Sequence, residues 1–152
     1  MQESFDVPAR QFDFDKDLAY GQKGESLVDS FLDALSGGSF EVKSDRYRNG
    51  RMVVETNQNP WAKKDSSGNP IWVDSGINVT TATWWVYVFS MDEAFVIVEV
   101  ARLKRYLRAN SDKFNKSTKI NLGGPKNPAK GFLLMPEDVI DMMTNSQYDS
   151  MP

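Results

Sequence analysis

The chain has 152 residues, 40% hydrophobic and 26% charged, a length and balance that suit one folded domain with a sizeable core. It holds no cysteine and no histidine, which excludes disulfide frameworks, thiolate or imidazole metal sites, Ser-His-Asp and Cys-His hydrolases and zinc deaminases. Any catalysis rests on carboxylates and lysines, and any metal is an oxygen-ligated Mg²⁺ or Mn²⁺; the net charge of −3 gives no overall attraction to a polyanion.

Residues 1–15 mix Phe5, Phe12 and Phe14 with Asp6, Asp13 and Asp15 without a period and read as an N-terminal arm. From 17 to 35, Leu27, Val28, Phe31, Leu32 and Leu35 recur at helical spacing before Gly37-Gly38, which predicts an amphipathic helix with its stripe in the core. The run 39–45 alternates Phe40 and Val42 with Glu41, Lys43 and Asp45, and 51–57 is a second β-rich run. Arg48-Asn49-Gly50 between them is a hairpin signal. The stretch 58–80 is rich in Asn, Pro, Ser and Gly, contains Trp61 and Trp72, and is too long for a mere connector.

Two further strands, 83–89 and 94–98, flank a turn at Met91-Asp92-Glu93, and a helix follows over 99–109 with Leu103, Tyr106 and Leu107 on its apolar side. One of the adjacent Trp84 and Trp85 must face the core. Residues 113–130 form a basic, Gly/Pro-rich stretch with Lys113, Lys116, Lys119, Lys126 and Lys130, compatible with contact to a nucleic-acid backbone or with a solvated loop. A short edge strand at 131–135, a last helix opened by Pro136-Glu137-Asp138 and a frayed tail over 146–152 complete the reading. One domain over 16–145 is expected, of α/β (α+β) class, with a central mixed sheet flanked by helices. No run is apolar enough to span a bilayer and Met1-Gln2-Glu3-Ser4 lacks the features of a secretory signal, so a cytoplasmic location is expected.

The order helix, hairpin, loop, hairpin, helix, with acids on the first hairpin, resembles the PD-(D/E)XK nuclease superfamily. In that family a helix acid precedes a strand ending in Asp, and the next strand brings Glu-x-Lys. The matching residues are Glu25, then Asp45 at the end of Phe40-Glu41-Val42-Lys43-Ser44-Asp45, then Glu55 in Val53-Val54-Glu55-Thr56-Asn57. Asp74-Ser75-Gly76-Ile77, Ala82-Thr83-Trp84-Trp85-Val86-Tyr87-Val88, Leu103-Lys104-Arg105-Tyr106-Leu107 and Gly123-Gly124 then follow in the order of small phage-encoded nucleases of this type. The resemblance implies a restriction-endonuclease-like core and a Mg²⁺-dependent deoxyribonuclease, with Mn²⁺ able to substitute and DNA as the partner. It implies Asp45, Glu55, Glu25 and the Thr56 carbonyl as metal ligands. Such nucleases often act as homodimers, although no coiled coil or exposed apolar seam declares one here.

The sequence departs from the family at Asn57, where the motif lysine belongs. A two-residue turn at Asn49-Gly50 would put Asp45 and Glu55 on opposite faces, whereas a three-residue loop with Gly50 left-handed pairs Asp45 with Val53 and Lys43 with Glu55. Lys43, Asp45, Glu55 and Asn57 then share a face, and Lys43 can replace the missing lysine from the neighbouring strand. A rival placement makes Glu41-Val42-Lys43 the Glu-x-Lys unit itself. Arg46, Arg48 and Arg51 flank the turn and are candidates for phosphate contact. Two other functions stay open: a catalytically silent nucleic-acid-binding or phage accessory protein, and an exonuclease or junction resolvase of the same fold. No Gly-rich phosphate loop is present.

Overall fold

The computed structural model describes residues 18, 22, 25, 29–45, 49–89, 94–117, 119–122 and 124–150. The expected arm at 1–15 and the arginines at 46 and 48 lie outside them. Among the described residues the fold is a mixed α+β arrangement of two sheets. Strands β1 (Phe40–Asp45) and, after β2 (Met52–Gln58) and β3 (Val73–Asp74), β4 (Trp84–Phe89) and β5 (Ala94–Glu99) precede helices α1 (Val100–Ala109) and α2 (Ser111–Ser117). Then come β6 (Lys119–Leu122), β7 (Ala129–Leu134) and α3 (Pro136–Thr144). One sheet has the order β1-β4-β5 and the other β3-β2-β7-β6, in place of the single central sheet expected.

The β4/β5 hairpin forms as its alternation predicts, from Trp84 opposite Glu99 to Phe89 opposite Ala94. The hairpin of β1 with β2 does not. β1 pairs in parallel with β4, Lys43 beside Tyr87 and Asp45 beside Phe89, while β2 pairs antiparallel with β7 and, at its end, with β3. The local turn chemistry is nevertheless present: Gly50 has φ 68 and Asn49 Oδ1 accepts from Arg51 N at 3.0 Å. It passes the chain from one sheet to the other instead of closing a hairpin. The reason lies in β4, whose Trp-Trp-Val-Tyr-Val-Phe sequence is apolar on both faces and suits a strand with neighbours on either side. β7, expected at an edge, lies between β2 and β6.

Trp85, Leu103, Tyr106, Phe114, Leu134 and Met142 are buried at the centre of one continuous core, joined by Met52 and Val54 of β2. Trp85 is the core member of the adjacent pair; Trp84 faces outward and its Nε1 donates to Gly37 O at 2.9 Å. The segment 113–130 is not a loop, because α2 and β6 occupy much of it and Lys113 forms an ion pair with the buried Asp138. Asp138 also accepts from Met135 N at 2.9 Å, closing the first turn of α3 behind Pro136. The tail is packed rather than frayed as far as Tyr148, which is buried edge-on against Tyr106. Arg102 Nε donates to Met142 O and its Nη2 to Asn145 O, each at 2.6 Å, tying that turn to α1.

Residues 29–34 are helical, as are Leu18, Gln22 and Glu25, in keeping with the predicted first helix. Of its stripe, Phe31, Leu32 and Leu35 are exposed rather than core, with Phe31 against Phe95 on the outer side of the three-stranded sheet, while Leu27 and Val28 lie outside the described residues. Phe40 and Val42 are exposed as well, at 49% and 59%. Leu103→Ala, in the closed core, should cost about 2–5 kcal/mol in urea unfolding. Val42→Thr, on the open face of β1, should change stability by no more than roughly 0.5 kcal/mol, and a core-sized loss there would show that Val42 is not at the surface.

Candidate active site

β1 carries its charges on the wrong side for a strand that serves only stability. Glu41, Lys43 and Asp45 are the less exposed set and Phe40, Val42 and Ser44 the more exposed one. Because residues paired across strands share a face, Glu41 stands beside Trp85, Lys43 beside Tyr87 and Asp45 beside Phe89. Lys43 Nζ is 2.6 Å from Glu41 Oε1 and 5.6 Å from the centre of the Trp85 ring, so its charge is held by a carboxylate and an indole face.

Tyr87 joins this face to the other sheet. Val53 N donates to the Tyr87 hydroxyl at 3.2 Å, and that hydroxyl donates to Asp45 Oδ2 at 3.1 Å. Burial is the main reason that the Tyr87 pKa is pushed up from 10.0 to about 12; the Val53 N–H opposes the shift and the negative Asp45 adds to it. Asp45 therefore reaches β2 at Val53, two residues before Glu55. The expected neighbourhood of Asp45 and β2 arises through a tyrosine and not through strand pairing.

Glu55 is set by the loop after β3. Ser75 Oγ donates to Glu55 Oε1 at 2.6 Å, and Ser75 N donates to Thr56 O at 2.9 Å. Asn78 Nδ2 donates to the same carbonyl at 3.0 Å. Gly76 permits this approach: its φ is +53, and a Cβ there would lie 2.2 Å from Glu55 O.

A β-bulge separates Glu55 from Asn57. Glu55 stands opposite Gly131 and Asn57 opposite Lys130, with Thr56 between them. Adjacent residues of β7 face opposite ways, so Glu55 and Asn57 do not share a side as simple alternation requires. Asn57 Nδ2 instead donates to Asp74 Oδ1 at 3.1 Å. Asp74 and Asn78 line a cleft of ≈ 420 Å³ with Thr56, Lys104, Arg108 and Phe132. The Thr56 carbonyl, expected to bind metal, already takes two donors, and its Oγ1 donates to Lys130 O at 3.3 Å.

Glu25 is exposed on the helical segment whose later turn packs on the outer side of the sheet, opposite the Glu41, Lys43 and Asp45 face. No described contact joins it to Asp45 or Glu55. Among the described residues no three acids converge as a metal-holding group. Sequence reading missed Tyr87 and Ser75. Tyr87 looks like a core position of an alternating strand, and Ser75 is distinguished only by the glycine that follows it. No family model, curated protein or solved structure matches the chain.

Gly76→Ala should cost roughly 2–4 kcal/mol by displacing the 74–78 loop from β2, read as a lower urea midpoint. The Tyr87 shift sets a second expectation. The folded state holds this proton more tightly than the unfolded chain, so the contribution is whole below pH 10.0 and is lost as the pH rises toward about 12. Tyr106 has its pKa raised too, mainly by burial, so the informative quantity is the difference between two proteins. Wild type should lose stability more steeply across that window than Tyr87→Phe; equal slopes would place the Tyr87 hydroxyl in water.

Proposed function

We propose that the chain is a metal-dependent nuclease hydrolysing DNA phosphodiester bonds, with Lys43 and Asp45 of β1 and Glu55 of β2 at its centre. The observation that carries this reading is the inverted strand. β1 turns Glu41, Lys43 and Asp45 toward Trp85 and Tyr87 while leaving Phe40 and Val42 in water. Half-burying three charges costs desolvation that a purely structural strand would avoid by the opposite register.

The donors fit the metal class. Asp45 and Glu55 offer hard oxygens, and Mg²⁺ is commonly held by one or two carboxylates, with water and substrate phosphate completing its shell. A cluster of three acids is not required for that. Thr56 is not counted, because its carbonyl is engaged by Ser75 and Asn78. Bound there, the ion would lower the pKa of a water and offset negative charge on the phosphate.

The chain's own groups do the positioning. The Tyr87 hydroxyl fixes one Asp45 oxygen and the Ser75 hydroxyl fixes one Glu55 oxygen, which orients both carboxylates. Lys43, steadied by Glu41, supplies a localised positive charge for the attacking water and the phosphate oxygens. The Glu41–Lys43 ion pair also favours a variant of this reading in which Glu41-Val42-Lys43 is the Glu-x-Lys unit and Glu41 a metal ligand.

Nicking of supercoiled plasmid in Mg²⁺ or Mn²⁺ tests the proposal. Asp45→Asn and Lys43→Met should each slow it at least roughly 100-fold. Glu55→Gln and Glu41→Gln identify the second carboxylate by which of them matches Asp45→Asn. Wild-type protein that binds DNA but never nicks it in either metal would leave the silent binder as the correct reading.

A further inference from the structure

The stretch 59–73 displays a tryptophan that the catalytic reading does not use. Trp61 is 75% exposed, although burying an indole is among the larger apolar gains open to a fold. It is not loosely attached. Trp61 N donates to Asn127 Oδ1 at 3.1 Å, Asn59 N to Pro128 O at 2.8 Å, and Asn59 Nδ2 to Lys63 O at 2.9 Å. The backbone at Trp61 has φ 62 and at Ala62 φ 48, two successive residues in the left-handed region that side chains other than glycine disfavour. A tethered, strained turn therefore holds the ring in water, where a relaxed one could fold it away.

The surroundings are cationic. Lys63 and Lys64 follow the tryptophan directly on a small hairpin, closed by Ile71 N donating to Lys63 O at 3.0 Å and by a bridge between Lys64 and Pro70. Lys126 adjoins the Asn127 that holds Trp61, and Lys130 Nζ lies 4.1 Å from the ring centre of Trp72 at the hairpin's base. The acid within the hairpin, Asp65, is engaged in the turn, accepting from Ser67 N at 2.8 Å and Asn69 N at 2.9 Å. A chain of net charge −3 thus places three exposed lysines, Lys63, Lys64 and Lys126, on the turn that carries the open indole and on the segment that tethers it, with Lys130 over the neighbouring Trp72.

We propose that Trp61, with Lys63, Lys64 and Lys126, is a stacking platform for an unpaired base of a single-stranded nucleic acid, the lysines meeting its phosphates. A lone indole on a loop tip has no flat partner in a duplex, whose bases are already stacked, whereas an unpaired base presents a full π-face. The lysines favour a polyanion over an apolar protein partner. This surface shares its ligand class with the proposed nuclease but needs no cleavage.

The test is anisotropy of a fluorescein-labelled oligo-dT of roughly 12 nucleotides, with the full-length chain in EDTA so that cutting plays no part. Trp61→Ala should weaken binding roughly 5- to 100-fold and Trp61→Phe should recover part of the loss. Lys63→Gln with Lys126→Gln should flatten the salt dependence, and binding of a duplex of equal length should be insensitive to Trp61. Trp61→Gly separates this role from a structural one: glycine suits the left-handed backbone, so the melting temperature should hold or rise while oligo-dT binding falls. Absence of oligo-dT binding by wild type, or undiminished binding by Trp61→Ala, overturns the proposal, and the second result leaves the indole as a protein-docking group. Because no metal is present, neither outcome depends on whether the chain nicks plasmid.

Discussion

The Tyr87 hydroxyl connects the two sheets at the place where the candidate site stands. β2 pairs with β7 along one side, while β3 covers the other side only at Asn57 and Gln58. The Val53 N–H finds its acceptor in Tyr87, and the same oxygen donates to Asp45. One phenol oxygen thus accepts from a part-buried N–H of β2 and donates to a carboxylate of β1. Without it Asp45 and β2 would have no described link, since their strands belong to different sheets.

Two irregularities then set which groups face each other. The bulge at Thr56 separates Glu55 from Asn57, sending the first to Ser75 and the second to Asp74. Gly76 allows the loop backbone to meet the Glu55 carbonyl at a distance closed to any side chain. Both are local departures from regular β geometry beside charged groups, and both fix the orientation of one carboxylate. Tyr87 fixes the other. One oxygen of Asp45 and one of Glu55 are thus each held by a hydroxyl donor.

β7 and the turn before it support two different surfaces. Gly131 stands opposite Glu55, while Asn127 and Pro128 hold the backbone that presents Trp61. Ala129 and Lys130 connect them, and Lys130 lies on the Trp72 face. β7 therefore runs from the residue opposite Glu55 to the turn that holds Trp61.

Much of the element order was legible in the residues: the β4/β5 hairpin, the helix after it, the last helix behind Pro136 and the choice of one core tryptophan all follow from periodicity and capping chemistry. Those signals are local. The left-handed conformation expected of Gly50 is present, but no local rule states whether such a residue helps close a hairpin or lets the chain change sheets. That depended on β4 offering β1 a partner apolar on both faces. Strand alternation placed Glu41, Lys43 and Asp45 on one side, yet which side faces inward was decided by the parallel pairing with Trp85 and Tyr87. The parity that joined Glu55 to Asn57 failed at a bulge, because the extra residue is accommodated by Ser75, Gly76 and Asn78, about twenty positions along the chain. Which residues can carry charge, turn or stack is written in their order along the chain; which of them meet is set by the packing of distant segments, since hydrogen bonds between those segments leave no period in the sequence.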